Sequence, residues 1–351
     1  MKHKLIYALV AGAVSMIPLS SCHEVETYQD DPVGNFDCLW QAVSDHYCFF
    51  SEKNVDWDKV GEFYRSKIGP GTQWPELYNV CASMLNELED GHVNLITPFS
   101  TSSYRKWWTD YPQDFDLRTV QEYYLEFNYL QTSGITYAML GDDIGYMYYP
   151  SFSSAIGETN LDYILAVLSQ SKGLIIDIRN NGGGYLTNIN TLVGRFTTRE
   201  FTGGYMRHKT GPEHDAFSEP YAMTYKPAEE GRIRYIGKPI IVLTNRSCFS
   251  AANNFVAVMK ELPQVRVVGA RTGGGGGLPF SSEMPNGWGV RFSACPVTDV
   301  RGNSIESGID PTPGCEVHAP AEELAGGKDA ILDYAISLLS GKTEPDGPAE
   351  K

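Results

Sequence analysis

A strand-like run from Lys238 to Thr244 breaks at Asn245-Arg246-Ser247-Cys248-Phe249 and gives way, after Ser250, to an apolar helical pattern from Ala251 to Leu262. That spacing predicts Ser250 at a helix N-terminus. Unpaired backbone N–H groups and the positive end of the helix dipole can there stabilise the oxyanion formed when a hydroxyl attacks a carbonyl. Ser250 is therefore the candidate nucleophile. A serine hydroxyl also needs a base within hydrogen-bond reach and a third group to orient that base. Of the seven histidines, His92 suits the task best. It stands in Glu89-Asp90-Gly91-His92 directly after a helical pattern, where the glycine lets the chain turn and aim the ring. Competing readings stay open: Ser250 as a simple helix cap, Ser247 as the nucleophile, Cys248 as a thiolate or a small apolar filler, and His92 as a hydrogen-bonded turn residue. Asp90 is expected to support its turn rather than react.

The elements that must position these groups follow from periodicity. Phe36, Leu39, Trp40, Val43 and Tyr47, and later Leu77, Val80, Cys81, Met84, Leu85 and Leu88, recur at helical spacing, so residues 36–95 are expected to form a small helical lobe. From residue 143 short apolar runs alternate with helical ones: a strand from Ile144 to Tyr149, a helix from Asn160 to Ser169, and a strand from Leu174 to Ile178. The strand and helix around Ser250 follow, then a strand from Val265 to Val268 and a closing helix through Ile331, Tyr334, Ala335 and Leu338. This alternation predicts an α/β core over 143–340 with parallel pairing. Residues 96–142 are expected to connect the lobe to the core, 341–351 to form a tail, and Arg199 to Gly231 to be a loop insertion.

Five blocks occur in an order that resembles the carboxy-terminal processing (tail-specific) peptidases: Asp90-Gly91-His92, Asp177 to Gly184, Asn245 to Ala252, Val268 to Gly274, and Glu306 to Pro311. The resemblance implies a crotonase/ClpP-like α/β catalytic core, similar to that of the tricorn protease, acting on a peptide or protein substrate. Family members with a Ser–Lys dyad carry the lysine in a Thr-x-Gly-Lys-Gly stretch. Here that stretch reads Thr272-Gly273-Gly274-Gly275-Gly276, with Gly275 at the lysine position. The tricorn-like branch uses Ser–His–Glu, which the resemblance maps onto Ser250, His92 and Glu306. Glu306 would accept the proton-bearing nitrogen of His92, although Asp299 and Asp310 lie close enough in sequence to compete. Ala251 and one of Gly182 or Gly183 are expected to line an oxyanion hole, because a glycine lets the backbone approach a carbonyl. Gly273, Gly274 and Gly275 are expected along the substrate cleft. The separation from Thr97 to Asp143 is too short for the PDZ domain that relatives commonly insert. The implied function is a serine endopeptidase working through an acyl-enzyme. The competing reading, prompted by the missing lysine, is a pseudoprotease that binds peptides without cleaving them.

Charge and leader bound the setting. Forty-three acidic residues against 28 basic ones give a formal net charge of −15, which repels phosphate backbones and argues against a nucleic-acid partner. Lys2 and Lys4 precede an apolar stretch from Leu5 to Leu19, so 1–21 reads as an export signal. Leu19-Ser20-Ser21-Cys22 resembles a bacterial lipobox, implying lipid on Cys22, a tether over 22–35, and anchorage in a Gram-negative cell envelope, on its periplasmic or outer-membrane surface. With neither a C-x-x-C pair nor an H-E-x-x-H signature, no metal and no cofactor are expected. Six further cysteines select no disulfide pairing by their spacing.

Overall fold

A computed structural model describes residues 27–341. The expected export signal over 1–21, Cys22 and residues 342–351 of the expected tail lie outside the described residues.

The described residues open with four helices, α1 (Pro32–His46), α2 (Phe50–Lys53), α3 (Trp57–Arg65) and α4 (Trp74–Asn86). Asp31 starts α1 by accepting the Gly34 N–H at 2.8 Å with Pro32 in the first turn, and Asp56 caps α3 through Lys59. Phe36, Leu39 and Val43 of α1 meet Leu77, Cys81, Met84 and Leu85 of α4 and the buried Trp57. This lobe does not close on itself. Trp288, Val290 and Phe292, far along the chain, complete its core, so lobe and core share buried surface.

After β1 (Asn94–Ile96) come the short helices α5 (Lys106–Thr109) and α6 (Leu117–Thr119), then β2 (Leu130–Thr132), β3 (Ile135–Leu140), β4 (Ile144–Tyr148), α7 (Glu158–Val167), β5 (Gly173–Asp177) and α8 (Thr187–Val193). There follow β6 (Phe201–Met206), β7 (Tyr221–Tyr225), β8 (Ile240–Thr244), α9 (Ala251–Met259), β9 (Val265–Gly269), β10 (Gly277–Glu283), β11 (Gly289–Thr298), α10 (Ala321–Ala325) and α11 (Ala330–Ser340). The main sheet runs β2-β3-β4-β5-β8-β9, parallel from β4 onward. Every residue of β5 and of β8 is buried, as expected of parallel strands covered on both faces. Leu174, Ile176, Ile240 and Val242 face α7, α8 and α9, whereas Ile175, Ile241 and Leu243 face α10 and α11. The fold class is thus the expected α/β.

Two local expectations are corrected. The stretch from Arg199 to Gly231 is not a plain loop: it carries β6 and β7, which join β1, β10 and β11 in a second, antiparallel sheet. Gly203 and Gly204 interrupt the alternation of β6, where the register shifts, and β7 is largely exposed, so neither shows a strand period. Residues 96–142 are more than a connector, since β2 and β3 extend the main sheet by antiparallel pairing.

Candidate active site

The site forms at the carboxyl ends of the parallel strands, where loops after β5, β8 and β9 meet. Asn245 and Asn180 bridge the first two loops reciprocally: the Asn180 N–H donates to Asn245 Oδ1 at 3.0 Å and Asn245 Nδ2 to Asn180 Oδ1 at 2.7 Å. The N–H of Gly273, after β9, donates to the Cys248 carbonyl at 2.8 Å. Beneath them Arg179 is fully buried, its guanidinium donating to Asp177 (Nη2 to Oδ2, 2.6 Å) and to Asp329 (Nη1 to Oδ1, 2.9 Å), which ties the end of β5 to α11. These bonds fix the backbone on which the reacting groups stand.

Ser250 occupies φ 57°, ψ −120°, a conformation a non-glycine residue holds only under constraint. Its N–H donates to the Gly274 carbonyl at 2.8 Å, and its carbonyl accepts from Asn254 inside α9. The hydroxyl caps nothing. It lies 2.9 Å from Nε2 of His92, so the strained strand–turn–helix aims Oγ away from its own helix and at a base. Ser247 makes no such contact. Cys248 is fully buried with Sγ 3.0 Å from the Ile178 carbonyl, and burial pushes its thiol up to about 12. At neutral pH it is an inert filler.

His92 is held by its own turn. Asp90 Oδ1 accepts the His92 N–H at 2.7 Å and Oδ2 accepts the Tyr47 hydroxyl at 3.1 Å, all within buried surface. Burial lowers the imidazole to about 4, against the pull of the negative Asp90 and with a further push from Arg291. The ring is therefore neutral, and its Nε2 can take a proton from Ser250. The ring leans on Phe249 at 4.7 Å, and Phe249 stacks on Trp107 at 4.2 Å.

Gly275, at the position of the relatives' lysine, makes room for this ring. A Cβ there would lie 2.6 Å from two atoms of the Phe249 ring and 3.1 Å from His92 Cε1, on a backbone with φ +79°. Any side chain at 275 would press on both rings. Gly274 and Gly275 support the site rather than line the cleft, whereas Gly273 does line it. Gly183 also works through close approach: a Cβ would sit 2.8 Å from both Ser250 Cβ and the Ala251 N. Its own N–H is taken by Asn181 Oδ1 at 2.9 Å. Among the described residues the Ala251 and Gly182 amides have no hydrogen-bond acceptor, so of the two glycines considered for the oxyanion hole, Gly182 has the free donor.

Glu306 does not meet the expectation for it. Its carboxylate is not hydrogen-bonded to His92, whose Nδ1 is buried without a partner among the described residues. Instead Oε1 lies 3.1 Å from Lys53 Nζ and Oε2 accepts the Gly276 N–H at 2.8 Å, while the Glu306 carbonyl accepts from Gly275. Chain geometry explains the difference: Glu306 lies beside the glycine strip and bonds to it, clamping Gly275 and Gly276. Burial, then neighbouring Asp90, push its carboxyl up to about 8, against the pull of Lys53 and the Gly276 N–H. Burial works against the Lys53 ammonium, yet Glu306 and Asp90 hold it above its ordinary value. The competing acids are engaged elsewhere: Asp299 accepts from Arg301 and Asn303, and Asp310 pairs with Arg271. Asp90 is thus the carboxylate that acts most on His92, beyond the turn-supporting role expected of it. Its position two residues before the histidine was a readable turn signal. Lys53, on the short α2, gave no signal.

Beside this cluster opens a cleft of about 690 Å³ bordered by Gly91, Trp107, Phe249 and Gly273.

Residues 143–313 match the model of peptidase family S41, and residues 28–87 match the tricorn protease C1 domain. A crystal structure of a putative peptidase from Parabacteroides merdae ATCC 43184 is 44% identical with a TM-score of 0.83, covering 92% of this chain and 100% of that one. Carboxy-terminal processing protease CtpB of Bacillus subtilis (strain 168) is 27% identical over 177 residues, 49% of this chain and 34% of that protein. The chain thus aligns with about a third of the length of that relative. Mature CPAF shares the fold, with a TM-score of 0.66 at 15% identity over 89% of this chain and 98% of the other. With both family matches and a near full-length relative at 44% identity, the chain belongs to peptidase family S41.

Proposed function

We propose that the protein is a serine endopeptidase that cleaves peptide or protein substrates through an acyl-enzyme on Ser250. The observation that carries this reading is the 2.9 Å contact between Ser250 Oγ and His92 Nε2, made by a serine in strained backbone at the start of α9. His92 Nε2 takes the hydroxyl proton as Oγ bonds to the substrate carbonyl carbon. The carbonyl oxygen becomes an oxyanion, stabilised by the N–H of Ala251 at the positive end of the helix and by that of Gly182. Collapse of the intermediate breaks the C–N bond, and the imidazolium gives its proton to the leaving amine. Water, deprotonated by the same nitrogen, then releases the acyl group. Asp90 stabilises the imidazolium by its charge. Glu306 acts at one remove, holding the glycine strip against the ring.

The leader-like first 21 residues and the lipobox-like Leu19 to Cys22 support export and lipid anchorage at Cys22 in a bacterial envelope as part of this reading. The test of the enzymatic claim is release of new amino termini from a mixed peptide library by wild type and by Ser250→Ala. Cleavage by the first and none by the second is expected. Folded wild-type protein that binds peptides but leaves every one intact is the pseudoprotease outcome and overturns the proposal.

A further inference from the structure

Arg246 lines the cleft, four residues before the nucleophile. Its guanidinium is held on three sides: Nε donates to the Trp107 carbonyl at 2.6 Å, Nη1 to the Thr272 carbonyl at 3.0 Å, and Cζ lies over the Tyr111 ring, 4.0 Å from its centroid. All three holding partners are uncharged. The other basic side chains lining the cleft have acidic partners: Lys53 has Glu306, Arg271 has Asp310, and His318 Nδ1 lies 2.8 Å from Asp114 Oδ2. Among the described residues Arg246 has no carboxylate partner, and its Nη2 makes no hydrogen bond. Half-burial, and to a lesser degree the nearby Arg271, lower its proton affinity against the opposing pull of Tyr111. Glu89 and Glu316 also border the cleft, but neither pairs with Arg246.

A partly desolvated charge without a counter-ion is costly, and a guanidinium fixed on three sides loses little further freedom when an anion docks. We propose that Arg246 is the receptor for a substrate carboxylate, from an acidic side chain or from a chain end, and so decides which peptides enter the cleft. The inference rests on the peptidase reading and adds the class of substrate. The fork of free N–H donors suits a planar carboxylate and would anchor the peptide at a fixed offset from the bond presented to Ser250.

The test reads binding rather than cleavage. Short alanine-rich peptides are titrated against folded Ser250→Ala protein in three forms: C-terminal amide, C-terminal carboxylate, and C-terminal amide with one internal glutamate. At least one carboxylate form should bind roughly 10-fold tighter than the plain amide, as for a charge-assisted hydrogen bond. Adding Arg246→Gln should erase the gap and Arg246→Lys should keep part of it. Whichever carboxylate form gains identifies the source. Equal affinity for all three peptides, no binding of any, or a gap that survives Arg246→Gln overturns the inference; if Arg246→Gln does not fold, the Arg246→Lys comparison decides, a full gap there counting against it. Because the nucleophile is absent, these results do not depend on whether wild type cleaves peptides.

Discussion

Gly275→Ala adds a single methyl and probes the idea that a glycine replaced the relatives' lysine to admit a histidine. The new Cβ would lie 2.6 Å from two ring atoms of Phe249, close to an ångström short of ordinary contact, and 3.1 Å from His92 Cε1. Phe249 cannot simply withdraw, because Trp107 is stacked 4.2 Å away. A left-handed alanine costs about 1 kcal/mol and overpacking about 1–3 kcal/mol, so folding should weaken by roughly 2–4 kcal/mol. Activity should fall further than folding. Phe249 immediately precedes Ser250 and touches the His92 ring, so displacement passes to the 2.9 Å contact between nucleophile and base. A shift of about 1 Å there is worth roughly 100-fold in rate. The assay compares kcat/KM for one peptide with the thermal unfolding midpoint, at a temperature where both proteins are folded. A variant that is folded and cleaves at the wild-type rate would refute the packing argument. So would activity regained by Gly275→Lys in a His92→Ala background, since the lysine Cβ would still meet the Phe249 ring at 2.6 Å.

Three other outcomes follow from the same geometry. Asp90→Asn should lower kcat by roughly 10² to 10⁴, because it removes the charge that favours the imidazolium, whereas Glu306→Gln should cost less than about 10-fold; steady-state kinetics giving the reverse order would return the orienting role to Glu306. Burial depresses the His92 imidazole to about 4 from an ordinary 6.5, so the unfolded chain binds that proton more readily. Its contribution to stability is therefore full above pH 6.5 and lost as pH falls toward 4, by roughly 3 kcal/mol. Denaturant unfolding across that window should show wild type losing more stability than His92→Gln, and parallel losses would contradict the burial argument. Arg179→Met leaves Asp177 and Asp329 without their shared cation and should cost about 3–5 kcal/mol in the same measurement; a neutral change would show that the buried network is dispensable.

Much of the frame was legible because the central strands are covered on both faces. Leu174-Ile175-Ile176 and Ile240 to Leu243 are apolar without a break, and the helices between them show one apolar side. The second sheet was not legible. β6 is interrupted by Gly203 and Gly204, and β7, at the sheet edge, is largely exposed, so neither period nor composition distinguishes them from a loop. Ser250 could be read because a helix start creates its chemistry locally. His92 could be read because Asp90-Gly91 builds a turn that presents it. What sequence spacing could not supply is which carboxylate faces the imidazole. Glu306 is close to the base in the fold, but its two oxygens are taken by Lys53 and by Gly276, choices made by chain segments far apart in sequence.

The most direct measurement is the rate at which a fluorophosphonate probe acylates the protein, with the adduct mapped by mass spectrometry, in wild type and in His92→Ala. The adduct should fall on Ser250 alone and its rate should drop by at least roughly 10³-fold when the imidazole is removed. An adduct on Ser247, or labelling of Ser250 at an unchanged rate without His92, would contradict the account.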